Sequence, residues 1–447
     1  MLSRFFRLHE NGTTVGRELQ AGLTTFAAMA YVLAVNPSIL VNAGMDRPAL
    51  VTITALSAAV ATILMALLTN YPIALAPGMG INAFFAYTIC LGAGVPWAQA
   101  LGMVFVNGCI FLLLSVTGVR EKIVDAIPYP LKIAVTCGIG IFIAFLGLTN
   151  GGVIVASPAT FVTHGDFASG PVALCLAGIL LIAALVRWRV PGAIVLGMAA
   201  LTLVGVLVPD GKGGTVTQLP SPAAWLSLPA SPAPHLLKLD LHFLTDGAAF
   251  LKALPLILSL LLVDMFDNIG TLIGVTKRAG FLGADGKLPK VGRVLVADSA
   301  AAILSSLLGT STVVSYVESS SGVEAGGRTG LTTLTTAVLM VAALFLTPLI
   351  LAVPAAATAP ALVIVGIFML QSVTEIDMRD FSVVVPAMLT LMAIPLTSSV
   401  SLGIGLGLIA AAVLALVTGK PRSFSPMGYA IAAVFFLEFF HLFPFRE

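Results

Sequence analysis

The chain has 447 residues, 58% of them hydrophobic and 9% charged, with a formal net charge of +2. A soluble domain carries about 25% charged residues, so this composition excludes an ordinary water-soluble fold. It indicates an all-α polytopic membrane protein whose first partner is a lipid bilayer. The net charge says nothing about nucleic acid, but no basic, aromatic-rich patch exists, and no nucleic-acid partner is expected. No His-Glu-x-x-His, Gly-x-Ser-x-Gly or Cys-x-x-Cys motif occurs, so no enzyme, metal site or cofactor is expected.

The polar, basic N-terminus MLSRFFRLHENGTTVGREL has no cleavable apolar core, so no signal peptide is expected to be removed. Apolar segments then fall near 20–41, 50–70, 74–92, 96–117, 128–148, 171–187 and 191–208. A second set falls near 250–276, 291–308, 312–324, 328–352, 355–374, 380–396 and 400–418. The expected organisation is therefore 1–208 as a first seven-span unit, 209–249 as an extracytoplasmic Pro-rich loop, 250–418 as a second seven-span unit and 419–447 as a tail. Within the tail, the aromatic-rich stretch 427–443 reads as an interfacial helix. With the N-terminus inside, seventeen lysines and arginines lie on the inner side, against Arg47, Lys212, Lys238 and Lys252 outside. That asymmetry predicts a multi-pass protein of the cell membrane with a cytoplasmic N-terminus. Cys90, Cys109, Cys137 and Cys175 all sit in apolar spans and read as core fillers rather than disulfide partners or metal ligands.

The two halves echo one another. Ile63-Leu-Met-Ala-Leu-Leu68 matches Ile303-Leu-Ser-Ser-Leu-Leu308, and Pro128 precedes Gly140-Ile-Phe142 by the same interval that separates Pro354 from Gly366-Ile-Phe368. Seven spans is an odd number, so a second copy must be inverted. Inverted repeats around a midplane site are a secondary-transporter architecture.

Two segments in corresponding positions interrupt helical periodicity. In Tyr71-Pro-Ile-Ala-Leu-Ala-Pro-Gly-Met-Gly-Ile-Asn-Ala-Phe-Phe85 the breaks are Pro77, Gly78 and Gly80; Gly309-Thr-Ser-Thr-Val-Val-Ser-Tyr-Val-Glu-Ser-Ser-Ser-Gly322 is short, Ser/Thr-rich and carries Glu318. The Ile63/Ile303 match places Gly78 opposite Glu318. Non-helical backbone inside a membrane survives only where it packs on protein or lines a cavity, and helix starts there direct free N–H groups inward. Asn82 can donate and accept, which suits a heterocycle with both kinds of edge; capping the restarted helix is its alternative role. Phe84 and Phe85 are candidates for stacking on a flat ring, against plain core packing.

The most informative stretch is Leu260-Leu-Leu-Val-Asp-Met-Phe-Asp-Asn-Ile-Gly-Thr-Leu-Ile-Gly274, inside an apolar run from Ala253 to Val275. Asp264, Asp267, Asn268 and Thr271 are spaced three and four apart and share one helix face. An aspartate at mid-membrane costs about 2.5–3.5 kcal/mol on insertion scales, so the pair must face protein or a water-filled cavity. The alternative is a polar cluster that only joins helices. Asp264, Asp267 and Glu318 lack a lysine or arginine in the middle of any expected span, which points to proton binding or a cation site.

These residues resemble the AzgA-like adenine/guanine/hypoxanthine permeases, a branch of the nucleobase:cation symporters related to the xanthine/uracil permeases. The likeness covers nearly the whole chain. It is carried by Gly22-Leu-Thr-Thr-Phe-Ala-Ala-Met-Ala-Tyr-Val32, Ala76-Pro-Gly-Met-Gly-Ile-Asn-Ala-Phe-Phe85, Asp264-Met-Phe-Asp-Asn-Ile-Gly-Thr-Leu-Ile-Gly274 and Gly309-Thr-Ser-Thr-Val-Val-Ser-Tyr-Val-Glu-Ser319. Asn268 departs from it, since threonine is expected there in many members. The resemblance implies about fourteen transmembrane segments in two inverted sevens, with spans 1–4 and 8–11 as a core and 5–7 with 12–14 as a gate. Spans 3 and 10 would each be part strand and part helix. It also implies that Asn82, Asp264, Asp267 and Glu318 occupy the positions of the family's essential polar residues, that the driving ion is the proton, and that a homodimer is a candidate assembly.

The expected function is import of purine nucleobases by proton symport through alternating access. Asn82, Asp264, Glu318, Phe84 and Phe85 would bind substrate; Asp264, Asp267 and Glu318 would couple protons. A transporter of uracil or xanthine on the same fold is the alternative. A carrier for small anions is disfavoured by the acidic site. An ion channel stands further off, since isolated carboxylates at broken helices suit a stoichiometric site.

Overall fold

The structure, a computed structural model, describes residues 2–117, 127–279, 281, 289 and 291–440. Among these, ten helices are long and apolar enough to cross a membrane, and shorter apolar helices span Met79–Gly92, Ala193–Gly205, Phe381–Thr397 and Pro426–Leu437. The molecule is a helical polytopic membrane protein.

The chain opens with α1 (Val15–Met29) and α2 (Val32–Leu40), interrupted at Ala30 and Tyr31, followed by α3 (Arg47–Thr69). Asp46 caps α3 by accepting from the Ala49 N–H, with Pro48 in the first turn, where a missing N–H costs nothing. Next come β1 (Leu75–Pro77), the short α4 (Met79–Ala83) and a π-helical continuation over Phe84–Gly92. Helices α5 (Trp97–Thr117) and α6 (Tyr129–Asn150) follow, then a hairpin of β2 (Ile154–Ser157) and β3 (Phe161–His164) that the sequence reading did not anticipate. Helices α7 (Gly170–Arg187) and α8 (Ala193–Val204) complete the first half. Between 205 and 246 the chain forms an isolated antiparallel bridge of Pro209 with Thr215 and 3-10 turns at Pro222–Ala224 and His242–Leu244.

The second half begins with α9 (Gly247–Ala279) and α10 (Val291–Leu308). Strand β4 (Val313–Ser315), α11 (Ser319–Glu324) and α12 (Gly330–Ala343) come next. The last helices are α13 (Ala355–Leu370), α14 (Phe381–Thr397), α15 (Val400–Val417) and α16 (Pro426–Phe439). Helix α16 packs on α15 within the stretch expected to be interfacial; residues 441–443 of that expectation lie outside the described residues.

The helices pack in two groups. One joins α1, α3, α5, α9, α10, α11 and α12; the other joins α6, α7, α8, α13, α14 and α15. Small residues set the closest approaches, as expected where helices associate without a hydrophobic drive. A Cβ added to Gly22 would lie 2.5 Å from the Thr332 carbonyl oxygen, and one added to Gly140 would lie 2.7 Å from that of Gly366. The last contact is reciprocal, because a Cβ on Gly366 would collide with the carbonyl oxygen of Gly140. Of the cysteines, Cys90, Cys137 and Cys175 are buried and free, consistent with core filling, whereas Cys109 is exposed. Cys109 is therefore not a core filler: α5 turns that residue outward while Asn107 and Phe111 face inward.

Strands β1 and β4 pair antiparallel inside the first group, with Leu75 opposite Ser315, Ala76 opposite Val314 and Pro77 opposite Val313. All six residues are buried. Buried edges need partners, because an unpaired backbone group away from water costs about as much as a lost hydrogen bond. Side chains supply them. The Thr62 hydroxyl donates to the Leu75 carbonyl and accepts from the Leu75 N–H, both at 2.9 Å. The Tyr316 hydroxyl donates to the Pro77 carbonyl at 2.6 Å, and Ser319 Oγ accepts from the Ala74 N–H at 3.0 Å. Pro77 needs no donor partner because it has no N–H.

Candidate functional site

Each strand of this ladder leads into a short helix. Gly78 is the N-cap of α4 and Glu318 the N-cap of α11. The candidate residues gather around these two starts in three hydrogen-bonded clusters.

The first cluster lies beside the Pro77/Val313 end of the ladder. Asn82 is 0% exposed, and its Oδ1 accepts a short hydrogen bond from the Ser311 hydroxyl. Its Nδ2 has no partner among the described residues, and neither do the hydroxyls of Thr310 and Thr312, just before β4, or that of Ser315 at the far end of the strand. Buried polar atoms are ordinarily paired, so this concentration of idle donors marks a place built to meet something else. Phe84 and Phe85, in the π-helical turn, are fully buried within the main apolar core. The wide turn itself is a feature found mostly at functional sites.

The second cluster is centred on Asp264, which is 1% exposed. Asn107 Nδ2 on α5 donates to its Oδ2 at 3.2 Å, and Asn268 Nδ2, one turn along α9, donates to its Oδ1 at 3.0 Å. Asn268 Oδ1 in turn accepts from the Ser315 N–H at 3.2 Å, so Asp264 is tied to β4 through a single intermediary. The departure from threonine at 268 has a local reason: an amide both donates to the carboxylate and accepts from the strand, which a hydroxyl rooted on Cβ is too short to span. The backbone of Asp267 belongs to α9, but its side chain lies outside the described residues.

Glu318 forms the third cluster, three residues beyond Ser315. The Tyr31 hydroxyl donates to Glu318 Oε1 at 2.6 Å. Glu318 is part-exposed and Val317 exposed, in a junction whose flanking residues 311–316 and 319–320 are buried. The structure thus brings Asp264 and Glu318 to the same end of β4. Asn82 stands at the other end, and among the described residues no hydrogen bond joins it to Glu318.

The sequence reading missed Tyr31, Asn107, Ser311 and the buried acids Glu18 and Asp298. Tyr31 stood in plain view at the end of an Ala-rich helical run, where an isolated tyrosine needs a partner for its hydroxyl. Asn107 and Asp298 were the polar residues of otherwise apolar spans, the same signal that singled out Asp264. Glu18 binds α1 to α12. It accepts from the Arg328 N–H at 2.9 Å, the Thr329 hydroxyl at 2.8 Å and the Thr332 hydroxyl at 2.6 Å, plus the N–H groups of Thr329 and Thr332, both at 3.2 Å. It is a helix cap, remote from the ladder.

The Permease family model, that of the xanthine/uracil permeases, matches residues 16–414. The guanine/hypoxanthine permease PbuO of Bacillus subtilis strain 168 is 41% identical over 98% of this chain and 100% of its own length. The adenine permease AdeP of Escherichia coli K12 is 39% identical over 98% of this chain and 96% of its own. Among solved structures, the transmembrane domain of the cyanobacterium bicarbonate transporter BicA superposes with a TM-score of 0.63, covering 88% of this chain and 96% of that one. Its 17% identity makes the likeness one of fold alone. The protein is therefore a multi-pass membrane permease rather than an enzyme, and it belongs to the Permease family of xanthine/uracil permeases.

Proposed function

We propose that this protein imports purine nucleobases, namely adenine, guanine or hypoxanthine, together with protons by alternating access. The observation that carries the reading is the strand ladder with unused hydrogen-bonding capacity around it: the idle amide of Asn82, the idle hydroxyls of Thr310, Thr312 and Ser315, and the nearby carboxyl of Glu318, a residue only partly buried. A purine edge alternates donors and acceptors, and a set mixing amide, hydroxyls and carboxyl complements it. The names of the relatives favour adenine, guanine and hypoxanthine over uracil or xanthine.

In this reading Asn82, Asp264 and Glu318 bind the base, with Phe84 and Phe85 walling the pocket behind Asn82. Asp264, Asp267 and Glu318 carry the proton. The first packing group acts as core and the second as gate, in a fourteen-span fold in the cell membrane with the N-terminus in the cytoplasm. Residues 1–208 and 250–418 are inverted repeats, joined by the extracytoplasmic loop 209–249 and followed by the tail 419–447. Three observations support the repeat. Matched residues Pro128 and Pro354 cap α6 and α13, the matched glycines 140 and 366 meet reciprocally, and β1 and β4 pair antiparallel. Reciprocal contact between equivalent positions is what a two-fold relation produces.

The test is uptake of labelled adenine into liposomes with and without an inward-directed pH gradient. Saturable uptake that the gradient drives above equilibrium, and that guanine and hypoxanthine inhibit, is expected. Ion current without purine dependence, or competition by adenosine as strong as that by guanine, would refute it. Asp264→Asn and Glu318→Gln should each abolish gradient-driven accumulation, with purine binding still measurable in at least one of them.

A further inference from the structure

We infer that Tyr31 is a positioning residue that holds the Glu318 carboxyl group in one orientation through both of its protonation states. This rests on the purine:proton symport reading. Tyr31 sits where the first span is interrupted, between α1 and α2, and its buried hydroxyl donates to Glu318 Oε1 at 2.6 Å. Among the described residues no second side chain donates to Glu318, which leaves Oε2 as the oxygen that would meet the ligand.

The pair is held from both sides. Helix α1 is fixed to α12 by the bonds of Glu18, and to α11 by a close approach in which a Cβ on Gly322 would lie 2.8 Å from the Ala21 carbonyl oxygen and collide with the Thr25 hydroxyl. Tyr31 and Glu318 therefore ride on one tightly packed unit, and the hydroxyl is placed by helix packing. The other ionisable groups on the packed elements are Lys252, Asp264, Asp267, Lys277 and Arg278 on α9, Arg17 and Glu18 on α1, Glu324 on α11 and Arg328 before α12. Glu18 and Arg328 are engaged at the α12 start, where Arg328 donates to the Val323 and Gly327 carbonyls, both at 2.8 Å.

A tyrosine hydroxyl is suited to this position because it both donates and accepts. It donates to the carboxylate and, after rotation about its C–O bond, accepts from the carboxylic acid. Glu318 can then gain or lose its proton without either form being left with an unpaired group, and Oε2 stays aimed at the ligand throughout. Phenylalanine fills the same space and offers neither bond. Net proton-driven accumulation, which cycles Glu318 through both forms, should depend on Tyr31 more than equilibrium exchange does.

The experiment compares wild type, Tyr31→Phe, Glu318→Gln and the double variant in proteoliposomes, using labelled adenine. Accumulation under a pH gradient is measured beside adenine/adenine exchange at equal pH on both sides. We expect Tyr31→Phe to lower accumulation by about tenfold more than exchange, the factor one hydrogen bond to a charged group carries. Adding Tyr31→Phe to Glu318→Gln should change exchange no further. Equal losses in both assays, no loss in either, or additive losses in the double variant would each overturn the role of Tyr31. Failure of the wild type to accumulate adenine under the gradient would instead overturn the symport reading itself.

Discussion

Glu18 provides the sharpest test of how the first packing group is held together. Its carboxylate is 0% exposed and accepts five hydrogen bonds, one at Oε1 from the Arg328 N–H and four at Oε2 from Thr329 and Thr332. In Glu18→Gln the amide must present NH2 on one side. Turned towards Arg328, it faces one N–H and leaves that donor unpaired. Turned towards the threonines, it leaves the Thr329 N–H unpaired and the Thr332 N–H with only its bond to the Thr329 carbonyl, although both hydroxyls can rotate to accept. The first arrangement is the cheaper, at about 1–3 kcal/mol for one orphaned buried donor. Glu18→Ala leaves the Arg328 and Thr329 N–H groups and both hydroxyls without this acceptor, while the Thr332 N–H keeps the Thr329 carbonyl, and should cost about 2–6 kcal/mol, at about 1–3 kcal/mol for each of the two orphaned backbone donors. The assay is the thermal unfolding midpoint of purified protein in detergent, read by size-exclusion chromatography after heating. The order wild type, Gln, Ala is expected, while uptake per folded molecule keeps its pH dependence in the Gln variant. Midpoints that do not separate the three proteins would refute the capping role. A flattened pH profile in Glu18→Gln would make Glu18 a proton carrier instead.

Three further perturbations follow from the same geometry. Gly366→Ala forces a methyl group onto the Gly140 carbonyl oxygen and within 2.8 Å of Ala144 Cβ, so α6 and α13 must separate; a loss of about 1–3 kcal/mol is expected. The control Gly16→Ala meets nothing within 4 Å and should not destabilise, and equal melting of the two variants would contradict the close crossing. Asn82→Ala should weaken purine binding by about 1–3 kcal/mol and also leave the Ser311 hydroxyl without its acceptor; unchanged affinity would return Asn82 to bracing the strand. His235, in the loop outside the spans, is held below its usual pKa by burial, against an opposing pull from Asp46, and its Nε2 accepts from the Asp46 N–H at 3.0 Å. A depressed folded-state value means that this contribution is intact above the unfolded value of about 6.5 and is lost as pH falls through the folded one. The melting midpoint of wild type relative to His235→Phe should therefore drop as pH falls from 8 to 5, and a constant difference would show that the fold leaves the His235 pKa where the unfolded chain has it.

The sequence alone determined the class of the protein and the identity of most polar residues that matter. Its low charge and long apolar runs leave no alternative to a membrane, and in that solvent a carboxylate such as Asp264 or Glu318 is expensive enough to announce itself. Pro77 and Gly78 likewise declared a break, because neither sustains a helix. What one dimension could not supply was pairing. Whether Asn82 meets a ligand or Ser311, whether Asn268 serves Asp264 or the strand, and whether Tyr31 faces lipid or Glu318 depend on contacts between residues up to 287 positions apart. Glu18 shows the limit from the other side. It stands in a stretch that reads only as a polar, basic N-terminus, and the approach of Arg328, Thr329 and Thr332 makes it a buried cap. Burial cost is written in each residue, but the partner that offsets it is chosen by the packing of distant helices, and that choice exists only in the tertiary structure.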